Sequence, residues 1–403
     1  MKKILYVGQI AIEGSASCTH VRNRARFFNN IGYEVYGLSE CPKNECDKVE
    51  DTDFLKYVYM KPFHGKGKVR GAGWIADQFL GIHTYNEIIR ALKFISPDII
   101  ILYELNSIVV EERIRAYCEK HNIRLIIEVT EWMEVENRKG IATRGIVWQK
   151  DIQKCYIDKR CGNIIAISEF LYEHYRNQGC NVIRLPPLVY DFVDKDQVFR
   201  DRDAVKLRQV KLVFAGTTDF KDYLEPMLKA IRKINNNEIK IIFDVVGPSP
   251  DAIERMLECS NLTQCGINCY GRLSHENTLS IVRKADFSVL MRENKRYAKA
   301  GVSTKFVEAM SLAVPSICTA VGGTDAFVTD GVDGVLIKDN SVHEVLDKLM
   351  QIVNMDSSKI LQMKLNALNT AKQVFSEGQY YNVAKCFLEG EGFDSQNKEE
   401  AKL

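Results

Sequence analysis

Residues 298–338 read AKAGVSTKFVEAMSLAVPSICTAVGGTDAFVTDGVDGVLIK, and this stretch carries the pattern that decides the fold. Phe306, Ala309 and Met310 recur at helical spacing after a short loop, and Pro315 ends the predicted helix. A compact apolar strand follows at 316–320 and leads into a turn at Gly322 and Gly323. The stretch is therefore predicted to form a loop, a short helix, a buried strand and a glycine-rich turn.

Lys305 and Glu308 lie three residues apart near the start of this predicted helix. The N-terminus of a helix attracts anions through its dipole and free N–H groups, and a carboxylate accepts hydrogen bonds from a diol. Together with the di-glycine turn, the two side chains suit a bound phosphate and sugar hydroxyls. The alternative is that both are ordinary surface residues of an amphipathic helix, and these residues alone leave both interpretations open.

The rest of the chain alternates short apolar runs with helical stretches. Strands are predicted in the first half at 3–7, 33–38, 98–103, 124–129, 163–167 and 182–185, and in the second half at 211–215, 239–246, 268–270, 286–291 and 316–320. This alternation is typical of α/β folds and predicts two doubly wound parallel-sheet (Rossmann-like) domains in tandem. The loop after the first strand lacks GxGxxG, so it carries no dinucleotide fingerprint.

The segment 191–209 is charged and has no clear period, which favours a linker between the two halves. We therefore predict a first α/β domain at 1–190 and a second α/β domain at 210–358. A helical return segment at 359–388 and a polar tail at 389–403 complete the predicted organisation.

Composition sets broad limits on the function. The chain has 403 residues, a net charge of +2 and 46% hydrophobic residues, which is ordinary for a globular protein and does not favour nucleic acid. We see neither an export signal nor the roughly 18 to 20 consecutive apolar residues of a membrane-spanning helix, and expect a cytoplasmic protein.

No metal site or other cofactor is predicted. The twelve cysteines lack paired CxxC spacing. Asp-x-Asp triplets occur at 51–53, 194–196 and 201–203, but all three are in charged connecting stretches.

An ordered set of motifs resembles the retaining glycosyltransferases of family 4, which have the GT-B fold and use nucleotide-diphosphate sugars. The set runs Phe214-Ala215-Gly216, Val245-Val246-Gly247, Gly271-Arg272-Leu273, Lys305-Phe306-Val307-Glu308 and Gly322-Gly323. The resemblance covers most of the chain. It implies two facing α/β domains, a donor in the cleft, mostly against the second domain, and a last helix that crosses back to the first domain.

The resemblance also implies donor-site residues. Glu308 matches the glutamate that holds the donor ribose, Lys221 matches a lysine on the donor diphosphate, and Lys305 is expected to assist the phosphates. The other expected donor contacts are Gly14, Ser15, Gly216, Thr217, Gly247, Gly271, Arg272, Leu273, Gly322, Gly323 and Thr324.

The chain departs from the family pattern at two places. Ala300 occupies the position of the first of two glutamates, and Thr217 and Thr218 stand where the family has an arginine. Both departures affect the expected recognition of the donor sugar.

On the acceptor side, Glu128 and Glu131 lie at the end of a predicted first-domain strand, where ligands of α/β sheets bind. Either carboxylate could orient or deprotonate an acceptor hydroxyl, and Glu131 is a catalytic candidate together with Lys221 and Glu308 of the second half. The alternative is that both pair with nearby basic side chains. A capping or surface role is expected for His20.

Residues 61–74, KPFHGKGKVRGAGW, form a basic segment with nearby aromatic residues. Such a segment could contact an anionic lipid surface or a lipid-diphosphate acceptor. A plain flexible loop would explain the same composition.

We therefore expect a glycosyltransferase that moves a hexose-type sugar from a nucleotide-diphosphate donor to a glycan or lipid-linked acceptor in polysaccharide biosynthesis. Lys221, Lys305 and backbone N–H groups would stabilise the leaving phosphate without a metal. A nucleotide-sugar epimerase with the GT-B fold is one alternative. A degenerate, non-catalytic partner protein is the other, and Ala300 and Thr218 favour it.

Overall fold

The computed structural model describes residues 1–8, 16–40, 49–60, 77, 79–105, 107–134, 140–198, 209–217, 222–259 and 261–390. These residues form two compact units. The first unit comprises Met1–Leu188 and the C-terminal residues from Glu377, and the second is Val189–Ser376. The expected site residues Gly14, Ser15 and Lys221 and the basic segment 61–74 lie outside the described residues.

Each unit contains one sheet. The strands of the first unit are β1 (Lys2–Gly8), β2 (Tyr33–Glu40), β3 (Val49–Asp51), β4 (Lys56–Met60), β5 (Ile99–Tyr103), β6 (Arg124–Val129), β7 (Asn163–Ala166) and β8 (Asn181–Arg184). The strands of the second unit are β9 (Val210–Ala215), β10 (Ile241–Val246), β11 (Ile267–Gly271), β12 (Phe287–Leu290), β13 (Ser316–Thr319) and β14 (Gly334–Ile337).

Helices separate the strands in both units. In the first unit they are α1 (Ala16–Asn30), α2 (Ile82–Ile95), α3 (Ile108–His121), α4 (Ile141–Ile152), which continues through a π-helical turn (Gln153–Ile157) into α5 (Asp158–Cys161), and α6 (Glu169–Arg176). In the second unit they are α7 (Glu225–Ile234), α8 (Pro250–Leu257), α9 (His275–Val282), α10 (Arg296–Ala300), α11 (Thr304–Ser311), α12 (Val342–Val353) and α13 (Ser357–Val374). The first unit also includes α14 (Tyr381–Glu389).

The first sheet has the order β3-β4-β2-β1-β5-β6-β7-β8. Its strands pair in parallel apart from β3, which is antiparallel to β4 at the edge. The order reverses between β1 and β5, because the chain builds outward from β1 in one direction and from β5 in the other. The short strands β3 and β4 were not predicted from the sequence.

The second sheet has the order β11-β10-β9-β12-β13-β14, and its described pairs are parallel. Its order reverses between β9 and β12. In an open α/β sheet, ligands bind outside the carboxyl ends of the strands at such a reversal. The prediction of two doubly wound parallel-sheet domains is confirmed, and the reversal marks where a ligand of the second unit is expected.

The helix predicted at the opening stretch is α11. Phe306, Val307, Ala309 and Met310 are buried on the side that faces the unit. Ser303 precedes the helix in extended conformation, and its backbone N–H donates to Oγ1 of Thr324 at 3.1 Å. Burial of one apolar stripe therefore fixes which side of α11 carries Lys305 and Glu308, since both remain partly exposed.

The predicted helical segment 359–388 divides into two helices, α13 and α14. Leu368 of α13 packs with Val198 and Ala313 in the second unit, and Phe375 packs against Phe306. In the first unit, Nη2 of Arg124 donates to the carbonyl of Phe387 in α14 at 2.7 Å. The chain therefore returns to the first unit after Ser376, as the resemblance implies.

No helix among the described residues is long and apolar enough to span a bilayer. The described residues also contain no cluster of three or more His, Cys, Asp or Glu side chains that could hold a metal ion.

Candidate active site

Three glycines meet at the carboxyl edge of the second sheet. Gly216 follows β9, Gly247 follows β10, and Gly271 ends β11. The backbone N–H of Gly247 donates to the carbonyl of Gly271 at 2.7 Å, and that of Gly216 donates to Val246 at 2.9 Å. A Cβ atom at Gly247 would stand 1.8 Å from the carbonyl oxygen of Gly216. Position 247 needs glycine because the backbone of a neighbouring strand end approaches it directly.

A buried carboxylate lies at the reversal between β9 and β12. The Asp222 side chain is only 3% exposed, and its Oδ2 accepts a hydrogen bond from Nζ of Lys305 at 2.6 Å. Its Oδ1 lies 3.5 Å from Nε of Arg292, the second residue after β12. These three side chains together carry one net positive charge.

Lys305 extends from the first turn of α11 to the end of β9. A Cβ atom at Gly216 would stand 2.0 Å from Nζ of Lys305, and the ring centroid of Phe214 is 5.5 Å from that nitrogen. The lysine side chain is 37% exposed, so its ammonium contacts Asp222 on one side and is open to solvent on the other. A cation in the first turn of a helix opposes the helix dipole, and the Asp222 carboxylate compensates for that cost.

Glu308 lies one turn further along α11. Its Oε1 is 3.0 Å from Nε2 of His275, the first residue of α9. The Glu308 side chain is 28% exposed and that of His275 is 61% exposed. The carboxylate is therefore accessible to hydroxyl donors while one neighbour restrains it.

The di-glycine turn differs from the expectation that its amides are free for phosphate. The backbone N–H groups of Gly322 and Gly323 donate to the two carboxylate oxygens of Asp325, at 3.0 and 2.8 Å. An aspartate two or three residues after a turn commonly accepts such bonds. Both amides therefore already have a carboxylate partner.

Thr324 and Ala300 are both buried beside this turn. Oγ1 of Thr324 accepts from the backbone of Ser303, which ties the turn to the start of α11. Ala300 ends α10 and has no exposed surface. A Cβ atom at Gly323 would stand 1.9 Å from the carbonyl oxygen of Ala298, so α10 packs directly on the turn.

The remaining expected donor contacts are accessible. Arg272 and Leu273 follow β11 and are exposed, as is Thr217 after β9. The structure therefore places Gly216, Gly247, Gly271, Lys305 and Glu308 along one edge, with these side chains open to solvent beside them.

In the first unit, Glu128 does not have the character of a general base. It is fully buried, and its oxygens accept from Tyr6 at 2.7 Å and from Nε of Arg24 at 2.9 Å, with Nε2 of His20 also at 2.9 Å. Burial alone would raise the pKa of Glu128, but His20 and Arg24 outweigh it and lower the pKa to about 2. Glu128 is therefore the centre of a buried polar cluster.

This cluster also changes the interpretation of His20. The residue is buried rather than at the surface, and its ring stacks on Tyr103 with centroids 5.5 Å apart. Neither the expected capping role nor a surface role fits this position. The sequence does not reveal this role of His20, because its partner Glu128 is 108 residues away.

Glu131 is partly exposed after β6, and its backbone N–H donates to Oε1 of Glu104 at 3.2 Å. Oε2 of Glu104 in turn pairs with Lys150 at 2.9 Å. Burial would raise the pKa of Glu104, but Lys150 and Lys154 outweigh it and hold the pKa well below its usual range. Glu131 thus extends from a segment anchored by an ionised, buried carboxylate.

Four residues of the candidate site were missed from the sequence, namely Asp222, Arg292, His275 and Asp325. Asp325 had a usable signal, since an aspartate shortly after a di-glycine turn commonly bonds the turn amides. Arg292 follows a buried strand, which is the usual place for a ligand-binding side chain in an α/β sheet. The contacts of Asp222 and His275 join residues 83 and 33 positions apart, and no local pattern predicts them.

Comparison with known proteins agrees with the fold. Residues 209–355 match the family model described as Glycosyl transferases group 1. An uncharacterized glycosyltransferase of Methanocaldococcus jannaschii is 25% identical over 231 residues, covering 55% of this chain and 56% of that protein. The chain thus spans about half the length of the curated relatives it matches.

Solved structures of similar fold cover nearly the whole chain. Sucrose-phosphate synthase from Thermosynechococcus elongatus is 13% identical with a TM-score of 0.71, covering 97% of this chain and 99% of that one. Anabaena HepE, solved in complex with UDP and glucose, is 13% identical with a TM-score of 0.64, covering 97% and 100%. The resemblance to GT-B glycosyltransferases drawn from the sequence is confirmed.

Proposed function

Because residues 209–355 match the group 1 glycosyl transferases, we propose that this protein transfers a sugar from a nucleotide-diphosphate donor bound at the carboxyl edge of the second sheet. One observation carries the proposal. Lys305 and Arg292 share the buried carboxylate of Asp222 at the reversal of strand order, with Glu308 one helical turn away. A cluster with one net positive charge, which suits a diphosphate, and an accessible carboxylate, which suits a ribose, therefore lie on the same edge.

The proposed donor is a nucleoside diphosphate linked to a hexose-type sugar. The support is the match to the group 1 family and the likeness to Anabaena HepE, which was solved in complex with UDP-glucose. Glu308 would accept hydrogen bonds from the ribose diol, and Arg272 and Leu273 would lie beside the base. The exposed position of these two residues at the end of β11 is compatible with that role.

The proposed chemistry is a substitution at the anomeric carbon. The bond from that carbon to the diphosphate oxygen breaks, a bond to the acceptor hydroxyl oxygen forms, and the hydroxyl proton passes to the leaving phosphate. Negative charge grows on the diphosphate as the bond breaks, and fixed cations stabilise the transition state more than the ground state. Lys305 and Arg292 would supply this stabilisation, and we propose that the reaction proceeds with retention.

For the acceptor we propose a glycan or a lipid-linked sugar in polysaccharide biosynthesis, with Glu131 near the acceptor hydroxyl. The positive charge of the basic segment 61–74 is complementary to the negative charge of a lipid diphosphate or of an anionic membrane surface. Sedimentation with anionic vesicles tests the membrane contact. Unchanged binding after replacing Lys66, Lys68 and Arg70 with glutamine would remove this segment from the proposal.

A thermal-shift panel of UDP, GDP, ADP and their sugar conjugates tests the donor proposal. A ligand at one hundred times its Kd stabilises the folded protein by about 2.7 kcal/mol, so one member should raise the Tm by several degrees. Hydrolysis of the same sugar conjugate, followed by release of the nucleoside diphosphate, should then be measurable. If no member of the panel raises the Tm, the proposal is wrong.

A further inference from the structure

The Asp222 carboxylate has a role that the family motifs do not assign. It is almost fully buried, yet it is charged, and Lys305 and Arg292 are its cationic neighbours among the described residues. A buried charge is tolerated only when it is paired and hydrogen-bonded. The backbone of the next residue, Tyr223, donates to the carbonyl of Met291 at 2.8 Å, which fixes the segment beside the end of β12.

Asp222 also determines where the Lys305 ammonium lies. Lys305 has a long side chain with several rotatable bonds, and holding it in one place requires a partner. The 2.6 Å contact with Oδ2 of Asp222 places Nζ against Gly216, at the exit of β9. Because the Asp222 side chain is 3% exposed and that of Lys305 is 37% exposed, a ligand from solvent would meet Lys305 rather than Asp222.

We infer that Asp222 is a positioning residue, which holds Lys305, with Arg292 beside it, in the orientation that stabilises the leaving diphosphate. This inference rests on the proposed function. Asp222 itself would not touch the donor, and a carboxylate so close to a diphosphate would weaken ground-state binding by repulsion. Its contribution would therefore appear in the turnover rate, because fixed cations act most strongly on charge that develops in the transition state.

The variant Asp222→Asn separates positioning from simple binding. It preserves the shape and removes the charge, so we expect kcat to fall at least about tenfold while the Kd of the nucleoside diphosphate stays unchanged or decreases. Lys305→Met should lower kcat in the wild-type background. The same replacement should lower kcat much less when Asp222→Asn is already present. Asp244→Asn is the matched control, because Asp244 accepts from Asn268 and Tyr270 and contacts neither cation.

Two results would overturn the inference. One is a kcat for Asp222→Asn within twofold of wild type, and the other is strict additivity of the two losses. If Asp222→Asn does not fold, amine labelling of the wild-type protein remains decisive: Lys305 should react more slowly than Lys299, for which the described residues show no ion pair. Equal labelling rates contradict the inference. Absence of any nucleotide binding by wild type would instead refute the proposed function.

A separate observation concerns two cysteines on the connection between α8 and β11. Sγ of Cys259, just after α8, lies 3.7 Å from Sγ of Cys265, the last residue of the 3₁₀ turn Thr263–Cys265. Leu262 between them is buried in the core, and the backbone N–H of Cys265 donates to its carbonyl at 3.0 Å. The backbone therefore holds the two thiols side by side.

We infer that Cys259 and Cys265 form a reversible disulfide under mild oxidation. With hydrogen peroxide, the two thiols lose two electrons and two protons, one S–S bond forms, and the peroxide is reduced to two water molecules. The sulfur atoms must approach from 3.7 Å to about 2.05 Å for the bond to form. Burial raises the pKa of the Cys265 thiol, so the reaction should accelerate as the pH rises.

Peptide mass spectrometry after peroxide treatment and alkylation of the remaining thiols tests this second inference. We expect the peptide that contains Cys259 and Cys265 to be about 2 Da lighter than its reduced form. Dithiothreitol should restore the mass of the reduced form. Oxidation should raise the Tm of wild type but not of Cys259→Ser. If both thiols remain alkylated after oxidation, or Cys265 pairs only with Cys269, the inference is wrong.

Discussion

Nε2 of His275 lies 3.0 Å from Oε1 of Glu308, and this contact joins the start of α9 to the middle of α11. The imidazole restrains the carboxylate that we propose as the ribose ligand. It does so at an exposed site, where a pair of this kind contributes only about 0–1 kcal/mol. We therefore predict that His275 contributes little to nucleotide binding and that Glu308 is essential for it.

Replacement of His275 with alanine should raise the Kd of the nucleoside diphosphate by about two- to fivefold, in line with the small energy of an exposed pair. Isothermal titration measures the change. His343→Ala is the matched control, because His343 pairs with Asp347 on α12 and belongs to the same unit. Equal Kd values for the two variants would show that His275 does not act on the site.

Two glycine replacements should separate binding from folding. In Gly216→Ala the new methyl group meets the end of the flexible Lys305 side chain, so the protein should fold and bind nucleotide more weakly. In Gly247→Ala the new methyl group meets the backbone, at a residue with a φ of +116°. The free energy of unfolding should therefore fall by more than about 1 kcal/mol. Urea unfolding and nucleotide titration of both variants check the contrast, which a similar loss of stability in both would contradict.

Acid should destabilise the first unit through Glu128. Its pKa in the folded protein is lowered to about 2, so its stabilising effect is present above the ordinary glutamate pKa and is lost as the pH falls toward 2. Glu128→Gln should lower the free energy of unfolding by about 3 kcal/mol at pH 7, because Arg24 and His20 lose a buried counter-charge. All three tryptophans belong to the first unit, so tryptophan fluorescence during urea unfolding measures this loss. An unchanged midpoint would contradict the prediction.

Glu111 should behave in the opposite way. Burial, and then the charge of Asp158, raises the pKa of Glu111 well above its ordinary value. The folded state therefore holds a proton that the unfolded state releases near pH 4.5, and stability is lost as the pH rises above that value. Glu111→Gln removes this penalty and should be more stable than wild type at pH 7 by the same fluorescence assay. A lower midpoint than wild type would show that the penalty is absent.

The sequence predicted β9 to β13 of the second sheet, because buried parallel strands and amphipathic helices have strong periodic signals, but it did not predict β14. Lys305 and Glu308 were placed at the start of α11 on that basis. The edge strand β3 was missed because a three-residue strand such as VED has no such signal, and its neighbour β4 was missed as well. Helix α10 was missed because the stretch from Ala298 was read as a loop, although it packs directly on the di-glycine turn.

The contacts that define the site were less predictable. The partner of Lys305 is Asp222, and that of Glu128 is His20, across 83 and 108 residues. Such contacts depend on which strand ends lie side by side in the sheet, and that order is not encoded in local spacing. The amides of Gly322 and Gly323 were expected at the phosphates, yet a neighbouring carboxylate accepts both of their hydrogen bonds.

The central claim is that the donor binds at the carboxyl edge of the second sheet, and one titration tests it most directly. The nucleoside diphosphate that stabilises the wild-type protein is titrated into Glu308→Gln and into Glu131→Gln, a matched change in the first unit. We predict that Glu308→Gln raises the Kd at least about tenfold, since a hydrogen bond to a charged group contributes ~1.5–3 kcal/mol, whereas Glu131→Gln leaves it within twofold. A Kd for Glu308→Gln equal to that of wild type would contradict the account.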